Sequence, residues 1–441
     1  MINITYIFHS GFVIEADRYL LVFDYWMDPA DVMSRYSHTG KHVYVLASHF
    51  HEDHFSRRIF DWRKDNAAGT YTYILSKDIR RRRRAEREEA DVWLAKGGVW
   101  EDQNIKVIAT GSNDSGVSWI VEMRQPAATG SEVIRIFHAG DLCNWYARFL
   151  SEDVVPETVI SEEFGEVNPR EQEKQYLGEL KDIARLLQEH GAPLPQAVGR
   201  RPYMDVVLFP VDGRIGNGYT LGARQFIAQF DAGLFIPMHF VASGFQSAWR
   251  MAPFCEERGL PFWPLHSEGE SLQLADYSSH RLMIRHSYPE DIPALQQIFA
   301  AARRFMRETG NPHQWAESYP SAEQLIQDIA SGDSHVILSQ GKVVATFLLR
   351  GGNDPTYDVI YEGAWLNDAP YATIHRIASN GEVHGIFHLV MQFALQHYNT
   401  IRIDTHRDNR VMQHLILREG FQYCGIIHCW NGDERLAYQA I

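Results

Sequence analysis

Residues 47–55 read Ala-Ser-His-Phe-His-Glu-Asp-His-Phe, which puts His49, His51, Asp53 and His54 within six residues. Neutral imidazole nitrogens and carboxylate oxygens are the donors that Zn²⁺ and ions of similar character prefer. His49 and His51, two apart, can turn to one metal while Asp53 and His54 turn to a second, so the pattern points to a dinuclear site. The competing reading is a polar loop that happens to be rich in histidine. The apolar run Val43–Leu46 just before the cluster places it where a buried strand gives way to a loop.

Other stretches must bring further groups to that loop. From Asn3 to Asp24 the short runs Ile4–Phe8, Phe12–Ile14 and Tyr19–Phe23, broken at Ser10-Gly11 and Asp17-Arg18, read as a strand meander leading to Asp24. The run Val133–Phe137 delivers His138-Ala139-Gly140-Asp141 to a strand end. Met204–Pro210 reads as a strand covered on both faces, and Leu234–Phe240 as a last strand that presents His239. Between them, Pro169–His190 carries Leu177, Leu180, Ile183, Leu186 and Leu187 at helical spacing, and Gly222–Phe230 is helical in pattern. Arg80–Arg84, followed by Glu86, Glu88 and Glu89, predicts an exposed helix. Its arginines could meet a phosphorylated substrate or RNA, or simply form a solvated face of i, i+4 ion pairs.

The chain has 441 residues, more than one ordinary core accommodates, and predicts two domains or three. A break falls between about Ser267 and His280, where Glu268-Gly269-Glu270 and Asp276-Tyr277-Ser278-Ser279 interrupt the apolar pattern. A net charge of −14 argues against a nucleic-acid partner, which calls for a basic face to replace the counterions around phosphates. No apolar run approaches the length of a membrane span and no leader pattern opens the chain, so the expectation is a cytoplasmic protein acting on small molecules away from membranes, with homo-oligomerisation left open. Cys143, Cys255, Cys424 and Cys429 form no CxxC pair or disulfide framework, as expected of a reducing compartment.

The His49-x-His51-x-Asp53-His54 pattern resembles the signature of the metallo-β-lactamase fold hydrolases, and Tyr6–Phe12 with Leu21–Asp24 resembles their opening strands. The resemblance covers roughly residues 1–275 and is nearest to the lactonase-like and phosphodiesterase-like branch. It implies an αββα sandwich, Asp141 as the carboxylate spanning both metals, and Asp24 as a brace for the metal loop. The resemblance further implies that His239 closes the second site with Asp53, His54 and Asp141. Many relatives carry one more histidine where this chain has Ser112, Asn113 and Asp114. Asp114 would then substitute, or His138 bend in, or the first metal bind weakly; as a strand-end neighbour of Asp141, His138 is expected to stand behind the ligands. The implied chemistry is hydrolysis of a small ester, lactone, amide or phosphoester with Zn²⁺, or Mn²⁺ or Fe²⁺, activating water, and with Asp53 and Asp141 able to handle protons.

Beyond the break, the pattern is strand Arg281–Arg285, helix Ile292–Phe305 and further elements ending at Gln422–Ile427, in the order β-α-α-β-β-β-α-β-α-β. This order, with Asp408-Asn409 before a helix that ends at Glu419-Gly420-Phe421, resembles the GNAT acetyltransferases over roughly 280–441. The resemblance implies acetyl-CoA as cofactor, its pyrophosphate held at a helix start by Gly381, Glu382, Val383, His384, Gly385 and Ile386, with Asn409 nearby. Glu382 stands where Arg or Gln is common and Phe387 where Gly or Ala is common, which implies weak binding. The usual tyrosine acid is replaced by Ile416, which leaves His375, and then Glu362 or His406, as acid-base candidates. The expectation is therefore an α/β chain of two domains, a metal-dependent hydrolase at 1–275 and an acetyltransferase-like domain at 280–441. The alternatives are a metal-stabilised sensor or scaffold that binds acetyl-CoA and, third, a nuclease.

Overall fold

The computed structural model describes residues 2–66, 69–127, 130–161, 165–194, 201–240, 245–277 and 280–440. The chain divides into two compact units, Met1–Ser271 and Leu272–Ile441. Ser278 and Ser279 of the expected break lie outside the described residues, as does most of the polar loop 193–201.

In the first unit, strands Ile2–Phe8 (β1), Gly11–Glu15 (β2), Tyr19–Phe23 (β3), His42–Ala47 (β4), Thr70–Ser76 (β5) and Val92–Leu94 (β6) form one sheet in chain order. The meander β1-β2-β3 is antiparallel and β3 through β6 run parallel. Parallel neighbours need crossovers, and those flanking β5 carry the helices Ile59–Asp65 (α1) and Lys77–Arg81 (α2). The exposed helix expected from Arg80 onward is thus a short one that stops at Arg81. Arg83 adopts a left-handed φ of 57°, which no helix continues.

The second sheet contains Val99–Glu101 (β7), Ile105–Gly111 (β8), Val117–Ala127 (β9), Gly130–His138 (β10), Val206–Pro210 (β11) and Phe235–Met238 (β12), in the order β12-β11-β10-β9-β8-β7. Alternation along β3 shows how the layers meet. Leu20 and Val22 join Val43, Val45, Tyr73 and Leu75 in a core closed by Phe55, Ile59, Phe60 and Ile79 on the α1 side. Tyr19 and Phe23 turn the other way: the Tyr19 hydroxyl reaches the Arg124 carbonyl of β9 at 3.0 Å, and Phe23 stacks on His138 of β10 at 4.9 Å. Helix Pro169–His190 (α3) packs on β8, and Leu221–Gln229 (α4) on β11. Proline at the first position and the Asn168 side chain accepting from the Arg170 and Glu171 amides start α3, whose buried stripe includes Tyr176, Leu180, Ile183 and Leu187. The unit is a helix-sheet-sheet-helix sandwich. β1, β3 and β4 point one way in their sheet, as do β10, β11 and β12 in theirs, so the loops after them share a rim where ligands of parallel sheets commonly sit.

The second unit is built on a mixed sheet. Its strands are Ser271–Tyr277 (β13), His280–His286 (β14), Ser334–Ser339 (β15), Lys342–Gly351 (β16), Ala372–Ser379 (β17), Ile401–Thr405 (β18), Gln422–His428 (β19) and Glu434–Ala440 (β20). They lie in the order β13-β14-β15-β16-β17-β18-β20-β19. Helices Ile292–Glu308 (α5) and Ala322–Ala330 (α6) follow β14, Ile386–His397 (α7) joins β17 to β18, and Arg410–Arg418 (α8) follows β18. Two strands extend the expected order: β13, which pairs antiparallel with β14, and β20, which inserts between β18 and β19. β17 and β18 run parallel through Ala372↔Ile401, Thr373↔Arg402 and Ile374↔Ile403 and then part. Among the described residues of the chain, no helix is long and apolar enough to cross a membrane.

One buried ion pair ties the two-sheet sandwich together. Glu122 of β9 faces Arg135 of β10, whose Nη2 lies 2.6 Å from Glu122 Oε1, while Arg135 Nη1 donates to the Tyr203 carbonyl at 2.9 Å. Replacing Glu122 with Ala strands a buried guanidinium, an expected loss of about 3–5 kcal/mol. Hydrogen exchange on the full chain should show β9 and β10 amides losing protection while β14–β16 amides hold theirs; unchanged β9 protection would refute the assignment.

Candidate metal centre

The metal-type cluster sits where β4 ends, and the backbone of the second sheet packs closely against its first residues. The Val117 amide donates to the Ser48 carbonyl at 3.0 Å. Gly116, at φ 64°, lies so close that a Cβ there would be 2.1 Å from the Ser48 oxygen and 2.5 Å from His49 Cβ. Gly140, at φ 54°, presses against the Ser48 side chain in the same way.

Asp141 stands at the centre with its two oxygens divided. Oδ2 is 3.0 Å from His49 Nε2 and 3.8 Å from His51 Nδ1. Oδ1 is 2.8 Å from His54 Nε2 and 3.1 Å from His239 Nε2. Next to the second pair, His9 Nε2 approaches Asp53 Oδ2 at 3.4 Å, and the His9 and His239 rings are 4.2 Å apart. Two groups of donor atoms therefore converge closely enough to hold an ion each: His49, His51 and Asp141 on one side, and His9, Asp53, His54 and His239 on the other. The donor set fits a divalent metal for a further reason. Despite those short distances, His54 Nε2, His239 Nε2, Asp141 Oδ1 and both nitrogens of His9 are buried and form no hydrogen bond of good geometry. Each such atom costs on the order of 1–3 kcal/mol, and an ion bound among them removes that cost together.

The outer nitrogens are held firmly. His54 Nδ1 lies 2.7 Å from Asp24 Oδ2, and Asp24 also accepts from the Ser48 amide and hydroxyl. His239 Nδ1 lies 2.9 Å from Asp212 Oδ2, and Arg214 grips that carboxylate through Nε and Nη2. Such partners fix the tautomer and turn each Nε2 inward. Burial works against charge throughout, but at Asp141 the His49, His54 and His239 imidazoles overcome it and hold the carboxyl well below its usual range. Burial likewise opposes charging of His54 and His239, yet the Asp141 carboxylate beside them leaves both raised. His9 goes the other way: burial, then the neighbouring His239 charge, lower it to about 4, so the ring stays neutral near neutral pH with one nitrogen lone pair available. His9, Asp24 and His239 all adopt positive φ, at 56°, 40° and 70°, a backbone setting that clusters at functional sites.

Of the sequence candidates, His49, His51, Asp53, His54, Asp141 and His239 meet here, with Asp24 behind them. His138 does not bend in: its Nε2 lies 2.8 Å from the Ser10 carbonyl and its Nδ1 accepts the Gly140 amide. Asp114, on the loop between β8 and β9, joins none of the donor groups found among the described residues. His9, Asp212 and Arg214 escaped the sequence reading. The available signals were a histidine directly before Ser10-Gly11 at a strand end and an Asp-Gly directly after a buried strand.

In the second unit a cavity of about 460 Å³ opens where β17 and β18 part. His375, Asp354, Asp404 and Asn409 line it. Asn409 also caps α8, its Oδ1 accepting the Met412 amide at 3.0 Å. Gly381, Glu382, Val383, His384, Gly385 and Ile386 form the turn into α7 and do not line that cavity. Glu382 and His384 are exposed, Val383 and Ile386 buried, and Gly385 caps the helix at φ 76°. Glu362 and His406 are likewise absent from its wall, and Ile416 is core.

The helix-sheet-sheet-helix sandwich, with His-x-His-x-Asp-His at the end of β4 and Gly-Asp at the end of β10, has the architecture that the metallo-β-lactamase resemblance implies, and the mixed sheet with parting parallel strands has the one that the GNAT resemblance implies. Among solved structures, the chain is similar to a GNAT-family acetyltransferase from Streptococcus agalactiae, with 33% identity over 38% of this chain and 98% of that one and a TM-score of 0.34. It is also similar to a metallo hydrolase from the archaeon Ignicoccus hospitalis, with 14% identity over 61% of this chain and 97% of that one and a TM-score of 0.37. A third is a protein assigned as a Zn-dependent hydrolase of the metallo-β-lactamase superfamily from Thermotoga maritima, with 16% identity over 55% and 78% of the two chains and a TM-score of 0.27. No family model matches the chain, and none of the curated proteins matches it. At 33% identity along nearly all of the streptococcal chain, the C-terminal unit belongs to the GNAT family.

Replacing Asp212 with Ala should weaken metal binding about 10–100-fold while leaving the fold intact, since it frees the His239 ring. Competition against a chromophoric chelator measures this, and an unchanged affinity would show that His239 is not a ligand.

Proposed function

We propose that the first unit is a metal-dependent hydrolase of small esters, lactones, amides or phosphoesters and that the second is an acetyl-CoA-dependent N-acetyltransferase. The observation that carries the first part is the divided Asp141 carboxylate, with separate imidazole sets facing Oδ1 and Oδ2. Zn²⁺ suits the histidine-rich set, and Mn²⁺ or Fe²⁺ would also be accommodated. Bound there, such ions supply an acidified water and a Lewis acid for the carbonyl or phosphoryl oxygen. The chain's own residues do the rest. His49, His51 and Asp141 would hold one ion and His9, Asp53, His54 and His239 the other, with Asp141 Oδ1 beside His54 and His239; Asp24 and Asp212 keep the rings oriented. Asp53, with its side chain 33% exposed against 9% for Asp141, is the carboxylate placed to take a proton from the substrate side. Its carboxyl lies well below the usual range, burial being overcome by the His9 and His54 imidazoles beside it.

For the second unit, support comes from GNAT membership and the cavity at the parted strands. The exposed Glu382 carboxylate at the α7 turn favours a second reading, a sensor that binds acetyl-CoA weakly and transfers nothing.

Metal analysis of the purified parent beside Asp141→Ala should find both ions in the parent and their joint loss in the variant. Hydrolysis of a lactone and phosphodiester panel should vanish with them and return on adding Zn²⁺ to chelator-treated parent. A parent with one tightly held ion and no turnover would move the first unit to a structural role.

A further inference from the structure

The register of β17 against β18 ends at Ile374↔Ile403, so the first residues past the last rung are His375 and Asp404. They face each other across the opening, with His375 Nδ1 3.8 Å from Asp404 Oδ1. On its far side, His375 Nε2 lies 3.0 Å from Asp354 Oδ2. A carboxylate only accepts, so this contact assigns the proton to Nε2 and leaves Nδ1 with its lone pair toward the gap. Asp354 is fixed in turn, Oδ1 accepting from the Thr356 amide at 3.0 Å and hydroxyl at 2.7 Å. Asp404 Oδ1 accepts from the Tyr357 hydroxyl at 2.7 Å, and Arg435 Nε lies 3.9 Å from Asp404 Oδ2. The other guanidiniums in the wall are already matched, Arg350 with Asp333 and Arg376 with Asp328. Trp315, Met306 and Met412 line the same cavity, and Trp430 at its edge is 81% exposed.

We propose that this group is a base-and-anchor arrangement selecting a primary amine that arrives as an ammonium attached to an apolar or flat body. The inference rests on reading the second unit as an acetyltransferase. Asp404 draws the ammonium into the gap, His375 Nδ1 takes one of its protons, and Asp354 acts as a positioning residue that holds the imidazole in the required tautomer. The freed nitrogen lone pair attacks the thioester carbonyl carbon of acetyl-CoA. The C–N bond forms as the C–S bond breaks, and the thiolate leaves with that bond's electron pair and takes up the second amine proton. The imidazolium then returns its proton to solvent. The apolar wall and Trp430 give the body of the acceptor a surface to lie on, with aromatic contact favouring a ring.

The test uses the full chain with acetyl-CoA and with phenethylamine and hexylamine as acceptors, free thiol being followed, and acetyl-CoA binding measured separately by calorimetry. His375→Ala should lower kcat about 100-fold or more, with partial return on adding free imidazole. Asp354→Asn keeps the Oδ1 contacts to Thr356 and should lower kcat about tenfold at unchanged acetyl-CoA affinity. Asp404→Asn should chiefly raise the amine KM, about tenfold. Phenylethanol, which has the same body without the charge, should not be acetylated. Acetyl-CoA binding and amine transfer that persist unchanged in His375→Ala, or an amine KM unmoved in Asp404→Asn, overturn the inference and leave the acetyltransferase reading standing. A parent that does not bind acetyl-CoA overturns both.

Discussion

The first unit depends on one buried anion. Asp141 is 7% exposed, and a carboxylate at that depth is tolerable only where positive charge or donors surround it. Two strand ends supply them, β4 bringing His49 and His54 and β12 bringing His239, while Asp24 at the end of β3 holds the far side of the His54 ring. The glycine before Asp141 must adopt φ 54° so that β10 can turn its last residues toward the loop. The rest of the sandwich gives these ends a common rim, which explains why the meander precedes the parallel strands and why β10, β11 and β12 run side by side.

The second unit turns on the opposite device, an interaction that stops. β17 and β18 share three parallel rungs and then separate, so the sheet itself makes the cavity. The bulge against β16 and the φ of 49° at Arg376 fall at the same level, twisting β17 as it leaves its partner. One unit therefore gathers strand ends around a charge, while the other opens a seam inside a sheet. The two solutions share no residues, although both set imidazoles against carboxylates.

How much of this was legible followed from range along the chain. The His49–His54 cluster is contiguous, so its donor chemistry could be read directly, and Gly140-Asp141 stood out after an apolar strand. His9 could not be read. Its place follows from a bridge that pairs His9 with Phe240, and from the His239 amide donating to the His9 carbonyl at 3.0 Å, contacts between distant stretches. Asp212 looked like any turn aspartate until His239 was placed beside it. β20 was missed because Glu434, Arg435 and Gln439 give it a polar face, although it lies inside the sheet. Gln439 is fully buried and satisfied there, its Oε1 accepting the Leu366 amide and its Nε2 donating to Asn367. Likewise Asp114, plausible by position, sits on a loop whose tip is occupied by backbone contact between Gly116 and Ser48.

The pairing of His9 with the end of β12 also sets an order of events during synthesis. His9 leaves the ribosome well before its neighbour His239, which is made only after nearly the whole sandwich has been translated. The His49–His54 segment emerges early and already carries ligands for an ion, whereas the bridging carboxylate and the last imidazole arrive later. Contacts of such long range form slowly and late. A nascent chain therefore passes through a stage in which it holds metal donors but no closed site, and completion of the centre coincides with the docking of the final strand of its sheet.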